Sequence, residues 1–347
     1  MSEIKVDLFS DTGTRPSPEM REFMAEAEVG DEQLLEDPSV NKLNKMVSDL
    51  LGKDEAIYLP SGLMANQISF AVHCRNGEEI IMEASAHPIH FEANAAAVIS
   101  NASIRGIEGK KGVFTAEQME NAIRDKDYHS PQTCLVSIEQ TSNMGGGKIW
   151  PMTNIKNVCE KAREYGLSTH MDGARLLNAV VETDYSAADY AQYFDSIWID
   201  LSKGLGAPVG SVLAGSHEFI EKARYWKQRL GGAMRQAGII AAGGIYALEN
   251  NVERLKKDND NAKKLARGLS QVAEIDLDPD TVDTNIVIFK LKNIDSDKFS
   301  DKLLEQGVRM TVLGEQKMRA VTHLDVDEND IEYAIETVKM FTKSLYH

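Results

Sequence analysis

Between about residues 40 and 240 the chain alternates short apolar, β-prone runs with segments of helical period, and this alternation constrains the fold more than any other feature. The runs that read as strands are Glu55 to Leu59, Glu79 to Glu83, Ala97 to Ile99, Cys134 to Glu139, Ser168 to Met171, Ser196 to Asp200 and Gly210 to Ala214. Between two of them, Met152 to Tyr165 keeps Ile155, Val158, Cys159 and Ala162 on one face, as a helix lying on a sheet requires. Strands separated by helices are joined by crossovers. The pattern therefore predicts an α/β fold: a mostly parallel seven-stranded sheet, covered on both faces, with ligand chemistry in the loops past the strand ends.

After about residue 240 the texture changes. A long helical stretch with the charged run Glu253 to Lys264 leads into a strand at Thr284 to Leu291 and a helix at Asp297 to Gln306. Short strands at Val308 to Val312 and Met318 to Thr322 follow, then a terminal helix at Glu328 to Tyr346. A chain of 347 residues exceeds what one core usually holds. The expected division is an N-terminal segment (1–40) contributing to the active site, a large domain (41–245) and a small C-terminal α+β domain (246–347).

The net charge of −16, with no long basic run to offset it, argues against nucleic acid and anionic membrane surfaces as partners. No segment reaches 18 uninterrupted apolar residues, and the amino terminus lacks a signal-like apolar stretch, so a cytoplasmic location is expected. The three cysteines, Cys74, Cys134 and Cys159, are widely spaced and form no metal-ligand pattern, and Cys134 in its apolar run reads as a small core residue.

Four motifs carry the chemistry. The apolar run ending at Asp200 delivers Lys203 into the glycine-rich stretch Ser202 to Ser211, where a lysine amine can form an imine with an aldehyde cofactor and the glycines let backbone pass close to a bulky ligand. Gly204, Gly206 and Gly210 have GxGxxxG spacing and no clear following helix, which excludes a dinucleotide fingerprint. Asp172, at a strand end, suits the carboxylate that holds a pyridine nitrogen protonated, and Arg175 has the planar fork that binds a substrate carboxylate. Ser61, Gly62 and Leu63 lie where a strand turns into a helix, a place whose free N–H groups bind phosphate. His87 and His90, after another strand, are candidates to stack on an aromatic ring or to handle a proton. Each motif alone has an ordinary structural explanation: a loop lysine, a helix cap, a core histidine. Their joint occurrence in this order points to pyridoxal 5′-phosphate (PLP).

The same residues resemble the threonine aldolase group of the aromatic-amino-acid β-eliminating lyase family. Asp7 to Ser17 is similar to that family's DLRSDTVTRPS, Val29 to Glu32 and Glu36 to Asn41 to its VGDExYGEDPTVN, and Leu59 to Asn66 to its LPTGTQAN. His87 with Phe91 to Ala93 resembles AHxxxxEA, and the stretches at Asp172 to Arg175, Ser202 to Ser211, Gly231 to Gly238 and Arg319 to Val326 complete the series. The resemblance implies PLP fold type I, like aspartate aminotransferase. It implies Lys203 as the cofactor lysine, Asp172 on the pyridine nitrogen and His87 over the ring, with Ser61, Gly62 and Leu63 on the phosphate. It further implies Arg175, Arg319 and Ser10 around the substrate carboxylate, Arg235 at the cofactor or a neighbouring site, and a homodimer or homotetramer with sites completed across the interface.

Four positions depart from the family pattern. Ser142 replaces a histidine that would face the substrate hydroxyl, Leu34 and Leu35 replace a tyrosine-glycine pair, and Leu63 replaces the threonine of the phosphate turn. The reaction the resemblance implies is cleavage of a β-hydroxy-α-amino acid to glycine and an aldehyde, with His87, His90 or a water held by Ser142 as candidate bases. Two alternatives stand beside it: β-elimination from a different β-substituted amino acid, and a cofactor-binding protein without turnover.

Overall fold

The computed structural model describes residues 3–344. A short strand β1 (Val6–Asp7) opens the chain. The large sheet comprises β2 (Glu55–Leu59), β3 (Glu79–Glu83), β4 (Ser103–Ile107), β5 (Thr133–Glu139), β6 (Ser168–Gly173), β7 (Ser196–Asp200) and β8 (Ser211–Gly215). The C-terminal part carries β9 (Ile275–Asp276), β10 (Ile286–Leu291), β11 (Val308–Arg309), β12 (Thr311–Gly314) and β13 (Lys317–Val321).

The seven strands run in the order β2-β8-β7-β6-β5-β3-β4. All pairings among β3 to β7 are parallel, while β8 is antiparallel to both β7 and β2. Crossover helices on both faces explain why β3, β7 and β8 are buried along their whole length, as strands of a doubly covered sheet must be. β8 reverses because the loop carrying Lys203 returns the chain directly to the neighbouring strand, with no crossover helix in between.

One expected strand is displaced. Ala97 to Ile99 lies in a single π-helical turn, Ala96–Ser100, closed by Asn101 in the left-handed region, and the strand is Ser103–Ile107. The alanine-rich sequence before Val98 favours helix, whereas the true strand contains Arg105 and Gly106 and lies half-exposed at the sheet edge, so its apolar signal is weak.

β10 and β13 pair antiparallel at the centre of the small sheet β12-β13-β10-β9. Its core includes Phe289, Phe299, Leu303 and Ile331, and it also takes in Val6 and Leu8 from the amino end, because β1 pairs with β11. The terminal helix is Glu328–Ser344, and the remainder of the segment expected to be helical lies outside the described residues.

The helix Gly62–His73 crosses the large sheet and is anchored by polar groups inside the core. His73 Nε2 and His170 Nδ1 each lie 2.8 Å from Ser196 Oγ, joining helix, β6 and β7. Burial pulls the pKa of His73 from 6.5 down to about 4 and that of His170 down to about 3. The unfolded chain therefore binds protons below pH 6.5 that the folded chain refuses, so stability contributed by the neutral rings is lost as pH falls from 6.5 toward those values. Each ring adds up to about 1.4 kcal/mol of lost stability per pH unit within its window. Urea midpoints across that range should fall with acidity, and His170→Asn should flatten the dependence; an unchanged slope in the variant would contradict this assignment.

Candidate active site

The C-terminal ends of β5, β6 and β7 and the turns after β2 and β3 open into one cavity of about 370 Å³, large enough for a small organic ligand. Ser10, Ser61, Gly62, Leu63, His87, Asp172, Arg175, Lys203 and Arg319 all line it. Residues separated by most of the chain are thus brought together because parallel strands end on one edge.

Lys203 follows β7, and its Nζ lies 2.9 Å from Asp200 Oδ2 and 5.7 Å from the centre of the Trp198 ring. The N-terminal segment fixes the loop, since Thr14 Oγ1 donates to the Lys203 carbonyl at 2.8 Å. The nearby glycines have a different use from the one expected. A side chain on Gly204 or Gly206 would collide with Leu255 or Leu324, and one on Gly210 with Tyr58. They admit close packing of protein rather than ligand, and Gly206 (φ 78°) and Gly210 (φ 109°) also adopt positive φ.

Asp172 ends β6, fully buried. Its Oδ1 accepts from the Ala174 N–H at 3.1 Å and its Oδ2 from Asn66 Nδ2 at 2.9 Å, and no cation reaches it within ion-pair distance among the described residues. Burial raises its pKa despite the Lys203 charge and the Asn66 hydrogen bond. A buried carboxyl raised in this way is suited to a cationic N–H, which a protonated pyridine nitrogen supplies.

Asn66 is the hub that sequence reading missed. Besides Asp172 it donates to Glu92 Oε1 at 2.8 Å, and its Oδ1 accepts from Trp198 Nε1 at 2.7 Å. Glu92 in turn receives Gln67 Nε2 and lies 2.9 Å from His87 Nδ1. Burial alone would lower the pKa of His87, but the Glu92 hydrogen bond and the charge of Asp172 carry it above its ordinary value. The available signal was the polar Asn66-Gln67 pair inside an otherwise apolar helix, both side chains fully buried.

On the opposite wall, Arg175 Nε and Nη2 donate to Asp11 Oδ2 and Oδ1, both at 2.7 Å. Burial by itself would raise Asp11, yet the Arg175 charge and these hydrogen bonds hold it well below the usual carboxylate range. The fork expected to clasp a substrate carboxylate is therefore largely occupied, leaving Nη1 as its nitrogen without a protein partner among the described residues. Arg319 Nη1 donates to Asn143 Oδ1 at 3.0 Å, while its Nε is buried with no partner. Ser10 Oγ accepts from the Thr12 N–H at 3.2 Å and from Thr12 Oγ1 at 2.8 Å.

The phosphate turn forms as expected. Ser61 Oγ caps the helix by accepting from the Met64 N–H at 3.2 Å, which leaves the Gly62 and Leu63 N–H groups directed out of the helix start. A side chain at Gly62 would meet the Trp198 ring, so only glycine allows this close approach.

Two expectations are corrected, for Ser142 and His90, and for Arg235 one of the two alternatives, the cofactor site of its own chain, falls away. Ser142 does not line the cavity: it is buried, its Oγ accepts from the Gly145 N–H at 3.2 Å, and it packs against Gly112, so Asn143 is the residue of that turn that faces the site. His90 bonds the Ala84 carbonyl at 2.9 Å and also lies outside the cavity lining. Arg235 is exposed and pairs with Asp31 at 2.9 Å, away from this chain's cavity, because the segment bearing it packs against the Asp31–Glu32 turn. Glu139, which sequence reading passed over, ends β5 opposite Asp172 and lines the cavity. Burial and the Asp172 charge push its pKa up to about 7.

A family described as Beta-eliminating lyase matches residues 7–292. Over 327 residues the chain is 40% identical to the low specificity L-threonine aldolase of Escherichia coli (strain K12), covering 94% of this chain and 96% of that protein. It is 36% identical over 337 residues to the low-specificity L-threonine aldolase 1 of Arabidopsis thaliana, covering 95% and 94% of the two chains. The solved threonine aldolase of Leishmania major superposes with a TM-score of 0.84 over 97% of this chain and 99% of that one, at 19% identity, and shows the same fold.

Proposed function

The chain belongs to the beta-eliminating lyase family, and from that membership we propose that it is a PLP-dependent carbon–carbon lyase that cleaves a β-hydroxy-α-amino acid of the L-threonine or L-allo-threonine type into glycine and an aldehyde. One observation carries the reading: a lysine, a buried carboxyl without a cationic partner, a helix start and two arginines line a single cavity.

The donor set fits the cofactor. Lys203 would hold it covalently, Asp172 would accept its pyridinium N–H, the Gly62 and Leu63 N–H groups with Ser61 would receive its phosphate, and His87 would stack on its ring. Bound there, PLP supplies an electron-withdrawing ring that stabilises negative charge at the substrate Cα. Asn66 keeps Asp172 oriented, and Glu92 keeps His87 oriented. Arg175 Nη1, Arg319 and Ser10 would grip the substrate carboxylate, and such a grip would fix the orientation of the substrate and so which bond at Cα is presented for cleavage. Arg235, outside this cavity, would act at a neighbouring subunit's site.

A large and a small domain are supported by two separate cores, but the cores do not part at residues 40 and 245: Met20, Ala247 and Leu255 pack in the large core, while the small core takes Val6 and Leu8 and then the chain from Ala262 onward. A homodimer or homotetramer is supported by apolar side chains left in solvent, among them Leu63 and Phe91 in the cavity lining and Leu34 elsewhere on the surface, the last 66% exposed. No helix among the described residues is long and apolar enough to cross a membrane, and we place the enzyme in the cytoplasm.

A panel of β-hydroxy-α-amino acids assayed for glycine and aldehyde tests the reading. Release of both from L-threonine or L-allo-threonine is the expected result. Pyruvate and ammonium in their place would establish β-elimination, and no product from any substrate would leave a binding protein.

A further inference from the structure

We propose that Glu139 is the general base that removes the β-hydroxyl proton of the substrate, an inference that rests on the aldol-cleavage reading above. The cavity holds four carboxyls, and three have both oxygens occupied. Glu92 binds Asn66 and His87 through Oε1 and Gln67 through Oε2. Asp172 binds the Ala174 N–H and Asn66. Asp200 binds Ser202 through Oδ1 and Lys203 through Oδ2. Glu139 alone keeps an oxygen free: Oε1 accepts one long hydrogen bond, 3.3 Å, from the Asn143 N–H, and Oε2 has no partner among the described residues. The Asn143 side chain accepts from Arg319, so Glu139 stands beside the arginines that would grip the substrate carboxylate.

The other candidate bases are less suited. Ser142 and His90 lie outside the cavity lining. His87 is committed to Glu92 through Nδ1 and, in the reading above, to stacking on the cofactor ring. Glu139, pushed up to about 7, has the affinity for a proton that a base working near neutral pH needs. In the step, the proton moves to a Glu139 oxygen and the O–H bond pair becomes the second bond of the aldehyde carbonyl. The Cα–Cβ bonding pair stays with Cα, where a proton from solvent completes glycine, and Glu139 returns the proton it took to solvent. Asp172 from β6, His87 from the turn after β3 and Arg175 from the turn after β6 face Glu139, while Glu92, Lys203 and Arg319 share the cavity; these groups set its titration.

The test compares holoenzyme with Glu139→Gln and Glu139→Asp. A base for the hydroxyl is needed for cleavage and not for exchanging the α-proton of glycine in D2O. Glu139→Gln should slow cleavage by about 10²- to 10³-fold while exchange stays within about threefold. Glycine affinity by calorimetry and cofactor content should match the wild type. The acid limb of kcat/KM near pH 7 should disappear in Glu139→Gln and persist, shifted, in Glu139→Asp with partly restored cleavage. Cleavage by Glu139→Gln at near wild-type rate overturns the role, as does parallel loss of cleavage and exchange. Should Glu139→Gln fail to bind cofactor, Glu139→Asp decides by the same ratio of cleavage to exchange. A wild type that releases no glycine from any β-hydroxy amino acid overturns the underlying reading as well, and is told apart by that control.

Discussion

Replacing Lys203 by alanine is expected to lower glycine release by at least about 10³-fold, the scale associated with removing a group that takes part directly in the chemistry. Lys203 Nζ is the amine that enters the cavity beside Asp172, held in place by Asp200 and, through the loop backbone, by Thr14. Alanine at this position leaves Asp200 without its cation and would remove the proposed covalent anchor while keeping the helix start at Gly62. Cofactor should still bind, more weakly, and borohydride reduction followed by intact-mass measurement should find it attached to wild type and absent from the variant. Continued turnover by Lys203→Ala at a comparable rate would remove the residue from the mechanism.

Asp11→Ala is expected to destabilise the fold by about 3–5 kcal/mol, because it strands the buried Arg175 guanidinium without its bidentate partner. Asp11 also accepts from Asn285 Nδ2 at 3.1 Å, so its loss loosens the contact between the amino end, the large sheet and the small sheet together. Urea denaturation measures the effect. Removing both charges, as in Asp11→Ala with Arg175→Met, should recover part of the loss, since the main penalty is an unpaired buried charge. Equal stability of Asp11→Ala and the wild type would mean that water or rearrangement satisfies Arg175.

The elements most legible in the sequence were those whose apolar runs are long and doubly buried. β3 and β7 follow their sequence boundaries to within a residue because every position on them is buried, and β5 does so through its buried centre, Leu135 to Ile138. β4 was misplaced because an edge strand tolerates Arg105 and Gly106, and the alanine-rich turn beside it looked more apolar. The residues proposed to hold the cofactor were locatable because they sit at strand ends and helix starts, places that local pattern finds, and one cavity gathers them. The supporting shell was not. Asn66, Glu92 and Glu139 matter through what they touch, and Asp11 meets Arg175 164 residues away. No local pattern encodes such a meeting. Ser142 was misjudged for a related reason: a residue's place in a turn does not reveal which of two neighbours faces the cavity, and here it is Asn143.

The pairing of β1 with β11 joins Asp7 to Arg309, 302 positions later in the chain. At typical synthesis speeds of about 5–20 residues per second, the amino end emerges roughly 15–60 s before its partner strand exists. During that interval Val6 and Leu8 have no core to enter, and Asp11 can pair with Arg175 only once β6 and its turn have been made. The large sheet can assemble without the first dozen residues, but the cavity wall they build closes last. A nascent chain released early would thus bury most of its apolar surface and still lack the wall that Ser10 and Thr12 give the cavity.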